Sequence, residues 1–153
     1  MTYEALLLTA LMFLAMFVML PVVSPTSGPG SASLAVPDLP SRVLLFCTLF
    51  AAAAAYFVIC WSGGRRTLAM KTWRLRLVER NGAVLSRKTA LARYLAAWLG
   101  PALALATYAV SKPFGLAGIA VVPLALNYLA AFVDPERQFL HDRIAGTRVV
   151  VDR

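Results

Sequence analysis

Three charged residues of this chain have types and positions that could support chemistry: Glu4, Arg93 and Asp142. Each lies in or near a long apolar segment, where a charge is costly unless it is paired or reaches water. A carboxylate placed in this way can bind a cation or a proton, and a guanidinium can hold the carboxylate in position. We therefore predict that Glu4, Arg93 and Asp142 converge on one side of a membrane as an ion- or ligand-binding charge cluster.

A structural interpretation competes with this prediction for each residue. Glu4 could be an interfacial residue that reaches headgroup water, and Arg93 could contact a lipid phosphate. Asp142 could serve as a clamp between the tail and the helices by pairing with Arg93 or Arg143. The single histidine, His141, is of a type that titrates near neutral pH, but it equally fits a solvated tail.

Other reactive groups are scarce. Cys47 and Cys60 lie inside or at the end of one apolar segment, lack metal-ligand spacing, and are expected to be free thiols. The chain has no nucleophile–base pair, no metal-ligand cluster and no phosphate-binding glycine loop. We therefore predict a protein that is not an enzyme, with no catalytic residue, metal or cofactor.

Composition points to lipid as the solvent of this chain. Of its 153 residues, 60% are hydrophobic and only 14% are charged, which is outside the usual range of soluble domains. The net charge is +8, yet the basic residues border apolar segments instead of covering a soluble face. Anionic lipid headgroups are therefore the expected partner, and nucleic-acid binding is excluded.

Apolar segments divide the chain into four predicted transmembrane helices, which make it a single all-α membrane domain over residues 1–153. A helix needs about 20 residues to cross the hydrocarbon layer, and four segments meet or approach that length. A cleaved signal peptide is a weaker alternative for the first segment, because it has no basic residue before its apolar core. The predicted spans are 3–23, 41–61, 91–110 and 114–133.

A basic segment from Trp61 to Arg93 contains nine of the fifteen Lys and Arg residues. Apolar and basic side chains alternate over residues 73–77, and Asn81-Gly82 follows, which is a typical hairpin turn. We therefore predict a small cytoplasmic β-hairpin within residues 62–90. Basic side chains in and beside it are candidates for contact with lipid headgroups: Arg65, Arg74, Arg76 and Arg87.

The distribution of basic residues predicts the orientation. Thirteen of the fifteen Lys and Arg residues lie in 65–93 or 137–153, and only Arg42 and Lys112 lie in the opposite loops. Basic residues are retained on the cytoplasmic side. We expect a multi-pass protein of the bacterial inner membrane, with both termini, the hairpin segment and the tail at 134–153 in the cytoplasm.

Two stretches resemble the RDD family of bacterial membrane proteins. One runs from Gly63 through Asn81-Gly82 to Tyr94, and the other is the sequence Leu-His-Asp-Arg-Ile-Ala-Gly-Thr-Arg-Val-Val over residues 140–150. The resemblance places the second family aspartate at Asp142 and the first at Glu4, which is one methylene longer. It also shows departures: no arginine precedes Glu4, and Ala69 stands where the family often has glycine.

The resemblance implies transport of an ion or small solute, because some members of the family are associated with sodium–proton exchange. Four short helices leave little room for a pathway, so transport would require a homo-oligomer. An alternative is an accessory membrane protein that binds lipids or partner proteins through its basic cytoplasmic face. Ion flux in reconstituted vesicles would distinguish the two functions.

Overall fold

The computed structural model describes residues 2–23, 37–135 and 138–151. The chain is mostly helical, at 73%, and forms two compact units, Met1–Tyr56 and Phe57–Arg153. Seven α-helices and two strands are described, with 3₁₀ turns at Lys112–Phe114 and Ala117–Ala120. In chain order the elements are α1 (Thr2–Val23), α2 (Leu39–Trp61), α3 (Leu68–Thr72), β1 (Leu75–Glu79), α4 (Arg87–Ala97), α5 (Leu99–Ser111), α6 (Val121–Val133), α7 (Leu140–Ala145) and β2 (Thr147–Val151).

The first unit consists of α1 and most of α2, and it turns its apolar side chains outward. Phe13 and Phe17 are 68% and 73% exposed. Ala53 is the one buried residue among the side chains described in this unit. Such a surface is stable only in a solvent that is itself apolar. Within the described residues, three helical segments are long and apolar enough to cross a membrane: Glu4–Val23, Leu39–Trp61 and Arg87–Phe114.

The third of these segments is interrupted at Trp98, between α4 and α5. Pro101 has no N–H to donate to the carbonyl of residue 97, and its ring crowds that carbonyl. Trp98 N instead donates to Leu95 O at 3.1 Å, a tighter turn, and the α-helix resumes at Leu99. The α-helix is therefore interrupted at Trp98, three residues before Pro101.

The fourth predicted span, 114–133, is not one continuous helix. Gly115 adopts a left-handed conformation with φ of 74° and ends the first 3₁₀ turn. A second 3₁₀ turn follows, and α6 contains only 13 residues. At about 1.5 Å per residue, such a helix is roughly 20 Å long, shorter than the hydrocarbon layer. The structure therefore has three helices of spanning length among its described residues, and a shorter apolar helix in the place of the fourth.

The predicted hairpin also differs in its partner strand. The Asn81-Gly82 turn is present, with Gly82 at φ of 84° and Ala83 N donating to Asn81 Oδ1 at 2.8 Å. However, a single isolated bridge, Val78 with Val84, links the two sides of that turn. The partner of β1 is instead β2 from the C-terminal tail, antiparallel, with Leu75 opposite Val151 and Glu79 opposite Thr147.

A small core holds the second unit together. Leu85 and Ala90 are almost fully buried, and Leu77 of β1 is buried as well. Near the end of α2, the ring of Phe57 lies 6.0 Å from that of Tyr94 on α4. The core therefore lies where α4, the β1–β2 sheet and the tail meet. It positions Arg93 on α4 and Asp142 in the tail.

Candidate functional site

Arg93 is buried because of its position on α4. Ser86 caps this helix by accepting a hydrogen bond from Thr89 N at 3.1 Å. Helical spacing then places Ala90, Arg93 and Tyr94 on the inward face. The Arg93 guanidinium carbon lies 4.5 Å from the centre of the Trp61 ring, a cation–π contact that suits a guanidinium removed from water.

Asp142 is brought to Arg93 by the short helix α7. Gly146 ends that helix in a left-handed conformation, φ of 66°, so the chain reverses and β2 begins at Thr147. The reversal returns the Thr147 hydroxyl to its own helix, where it donates to Asp142 Oδ1 at 2.9 Å. The carboxylate is completely buried.

Arg93 and Asp142 form a buried ion pair. Arg93 Nε donates to Asp142 Oδ1 at 2.5 Å, and the two side chains are 8% and 0% exposed. Removing either partner from such a pair leaves a buried charge without compensation, which is strongly destabilising. The pair therefore joins α4 to the tail.

The second oxygen of Asp142, Oδ2, lacks the hydrogen bonds that Oδ1 accepts from Arg93 and Thr147. Oδ2 is buried and accepts no hydrogen bond from the residues that the structure describes. The nearest basic atom is Nε2 of His141, 3.7 Å away. Burial lowers the pKa of His141, the Asp142 carboxylate opposes that effect, and Arg93 adds to it. The His141 ring is stacked on Phe139, with centroids 5.5 Å apart.

A second ion pair lies nearer to water. Arg143 Nη1 donates to Asp134 Oδ1 at 3.2 Å, and the arginine side chain is 61% exposed. The other oxygen of Asp134 accepts from Gln138 N at 2.9 Å. Gln138 Oε1 in turn accepts from Val149 N of β2 at 3.1 Å. These bonds connect the end of α6 to β2 through the segment before α7.

Between the two ion pairs lies a cavity of about 230 Å³. Charged side chains line it, together with Gly146 and Thr147 at the start of β2. Arg80, which follows β1, and Arg148, near the start of β2, contribute positive charge at the same end of the sheet, and neither ion pair includes them. The charged lining residues are Arg80, Asp134, Asp142, Arg143 and Arg148.

The sequence-predicted residues have different positions. The structure brings Arg93 and Asp142 together. Glu4 lies in the first turn of α1, in the first unit, with a half-buried side chain, and its convergence with that pair stays a prediction. The four predicted headgroup contacts are all exposed side chains of the second unit: Arg65, Arg74, Arg76 and Arg87.

The remaining candidates for reactive or metal-binding chemistry are the two cysteines and the groups of metal-ligating side chains. Cys47 is exposed and Cys60 is half-buried, and no disulfide joins them. Among the residues that the structure describes, no three His, Cys, Asp or Glu side chains are grouped so that they could hold a metal ion.

Four residues of the site escaped sequence reasoning: Asp134, Thr147, Arg80 and Arg148. The Gly146-Thr147 step after a short polar helix was a local indication of a chain reversal. Nothing local indicated that β2 pairs with β1, and without that pairing Arg80 and Arg148 have no reason to be associated.

Comparison with protein-family models gives a match over nearly the whole chain. The model of the RDD family matches residues 1–146. The chain belongs to the RDD family. The RDD match includes Arg93 and Asp142 and ends at Gly146, immediately before β2. No curated protein and no solved structure matches the chain.

Proposed function

We propose that this RDD protein is a multi-pass protein of the bacterial inner membrane that transports an ion or a small solute, with sodium–proton exchange as one such reaction. The observation that carries the proposal is the buried Asp142 carboxylate beside a polar cavity. One oxygen is held by Arg93 and Thr147, and the other accepts no hydrogen bond within the described residues. A carboxylate oxygen of this kind can take up a cation or a proton.

The proposed topology has four spans with both termini in the cytoplasm. Three helices have spanning length, and the apolar segment Ala117–Val133 supplies the fourth crossing. The supporting observation is the concentration of Lys and Arg in 65–93 and 137–153. A reporter fused at Ser27 should be external and one fused after Arg153 internal; the opposite pattern would reject this topology.

Oligomerisation is part of the transport proposal. A monomer with four short spans has little space for a pathway between its helices. A homo-oligomer would supply that space, and polar side chains near the cytoplasmic mouth, including Glu4, Arg93 and Asp142, would then select the ion.

Flux measurements test the transport function. Purified protein reconstituted into vesicles should exchange sodium for protons, or carry another small ion, faster than empty vesicles do. Glu4→Gln and Asp142→Asn should reduce the flux, whereas Asp38→Asn, which alters an exposed carboxylate outside the site, should not. Glu4→Gln leaves the buried pair intact, so it reports on flux even where Asp142→Asn impairs folding. Equal flux in the wild-type protein and in folded Glu4→Gln and Asp142→Asn variants would contradict the proposal.

One observation favours a second candidate, an accessory protein that binds anionic lipids or partner proteins. Trp73 is 66% exposed beside Arg74, and Arg65, Arg76 and Arg87 are exposed in the same basic segment. Basic residues near a membrane surface attract anionic headgroups by about 1 kcal/mol each. Absence of any ion flux, together with salt-sensitive binding of anionic lipid that is lost when these arginines become glutamine, would favour this function.

A further inference from the structure

The cavity at the start of β2 is lined by positive charge that the two ion pairs do not neutralise. Arg93 compensates Asp142, and Arg143 compensates Asp134. Arg80 and Arg148 also line the cavity, and neither forms an ion pair with a residue that the structure describes. Counted over the described residues, two positive charges therefore line the cavity in excess of the ion pairs that surround it.

The sheet holds these two arginines near each other. Val78 lies opposite Arg148, and Arg80 N donates to Gly146 O at 2.9 Å, which continues the β1–β2 pairing by one residue. Side chains alternate along a strand, so Arg80 and Arg148 are on the same face as diagonal neighbours. Diagonal positions are about 7–8 Å apart, within reach of long side chains. Two like charges so close repel each other, and an anion between them removes that repulsion.

Two buried atoms of opposite character have no hydrogen-bond partner among the described residues of this site. Arg148 Nε is a donor, and Asp142 Oδ2 is an acceptor. Leaving such groups unsatisfied costs free energy, more so when they are charged. An anionic group without a donor would satisfy only Arg148 Nε, so a ligand that satisfies both atoms needs an anionic group and a nearby hydrogen-bond donor. An ammonium group is the donor that also complements the charge of the Asp142 carboxylate.

We propose that this cavity binds a phosphate ester with a neighbouring ammonium group, that is, phosphoethanolamine chemistry. The phosphate oxygens would accept from the guanidinium groups of Arg80 and Arg148, a geometry that arginine favours. The ammonium group would donate to Asp142 Oδ2. The contact between the ammonium group and Asp142 Oδ2 rests on the proposed function, which assigns an ion to the same oxygen. The contacts between the phosphate group and the two arginines are independent of that function. The ligand can be a soluble ester or the headgroup of a lipid.

Binding to the purified full-length protein in a phosphate-free maltoside detergent tests this site. Isothermal titration should give affinity for phosphoethanolamine and weaker affinity for inorganic phosphate. Phosphocholine, which has a similar size but no N–H donor, should bind about tenfold more weakly than phosphoethanolamine, the effect expected for one hydrogen bond to a charged group. Equal affinity for phosphoethanolamine and phosphocholine would overturn the assignment of Asp142 Oδ2.

Matched variants locate the phosphate group. Arg80→Gln with Arg148→Gln should weaken phosphoethanolamine binding by at least about tenfold for each arginine. Lys71→Gln with Lys88→Gln makes the same change of charge at two exposed side chains outside the cavity and should leave affinity unchanged. If both pairs weaken binding equally, or if no phosphate ester binds the wild-type protein, the cavity holds water only and the proposal fails. Should the first pair not fold, the single Arg80→Lys and Arg148→Lys variants keep the charge, lose the planar fork, and should each bind more weakly.

Two further arms identify the source of the ligand. Binding of free phosphoethanolamine indicates a soluble ester, whereas binding that needs short-chain phosphatidylethanolamine indicates a lipid headgroup; each supports the site. These titrations need no ion gradient, so failure of the flux experiment leaves their outcome unaffected. Conversely, flux that persists in Arg80→Gln with Arg148→Gln, while binding is lost, would separate this site from transport.

Discussion

The first unit and the charged region around α7 use charge in opposite ways. In α1, Phe13 and Phe17 are mostly exposed, and the helix carries one charged residue, Glu4, in its first turn. In the second unit Asp142 is completely buried and held by Arg93 and Thr147. The first unit has almost no charge on its outward surface. The region around α7 is instead held to α4 by a buried ion pair.

This difference follows from the two solvents of a membrane protein. Lipid cannot hydrogen-bond, so a helix in it must satisfy its polar groups internally and face outward with apolar side chains. The region around α7 contains two short strands and a helix of six residues, too little to bury a large apolar core. Directed hydrogen bonds between charged groups therefore supply the long-range connections that α7 and β2 cannot make by packing alone.

The largest expected effect comes from removing charge in the second region. Asp142→Asn leaves Arg93 buried without a counter-charge, and we expect it to lower the free energy of unfolding by about 3–5 kcal/mol. Denaturant unfolding in detergent, followed by circular dichroism, measures the loss. Asp38→Asn changes an exposed carboxylate and should have almost no effect.

Replacing both members of the pair sharpens this test. Arg93→Met with Asp142→Leu removes both charges and should recover much of the stability lost in Asp142→Asn. If Asp142→Asn unfolds at the same denaturant concentration as the wild-type protein, the buried pair is not what joins the tail to α4.

Adding charge to the first region should have the next largest effect. Lysine in place of Phe13, midway along α1, should disfavour membrane insertion by about 3 kcal/mol. The fraction of protein that integrates into the membrane measures this, with Phe13→Leu as the apolar control. The same lysine at Ala83, exposed in the turn of the second unit, should leave insertion unchanged. Equal insertion of Phe13→Lys and Phe13→Leu would remove the contrast between the two regions.

The sequence was sufficient for elements that depend on local pattern. Apolar length located α1 and α2 to within a few residues, since each needs only its own composition to be stable in lipid. The Ser86 cap of the helix that contains Arg93 is local in the same way, because its hydrogen bond spans three residues. The Asn81-Gly82 turn was predicted for the same local reason.

Contacts between distant segments were much harder to predict. The strand at Leu75–Glu79 was expected to pair across its own turn, yet it pairs with Thr147–Val151, about 70 residues away. Alternation of apolar and polar side chains indicates a strand, but it does not show with which other strand it pairs. The cavity depends on that pairing, so Arg80 and Arg148 could not be grouped from the sequence. From the sequence, Asp142 could pair with Arg93 or with Arg143, and the fold shows that its partner is Arg93.

The smallest expected effect concerns pH and also lies in the second region. Burial lowers the pKa of His141, the chain's single histidine, so the folded protein binds its proton less readily than the unfolded chain does. The unfolded state therefore binds more protons as the pH falls from 7 to 5, and stability should decrease over that range. Above pH 7 the imidazole is neutral in both states and contributes no pH dependence. His141→Gln should flatten this part of the profile of thermal unfolding midpoint against pH, measured in detergent. A wild-type profile that runs parallel to that of His141→Gln between pH 7 and pH 5 would show that the ring is not held away from water beside Asp142.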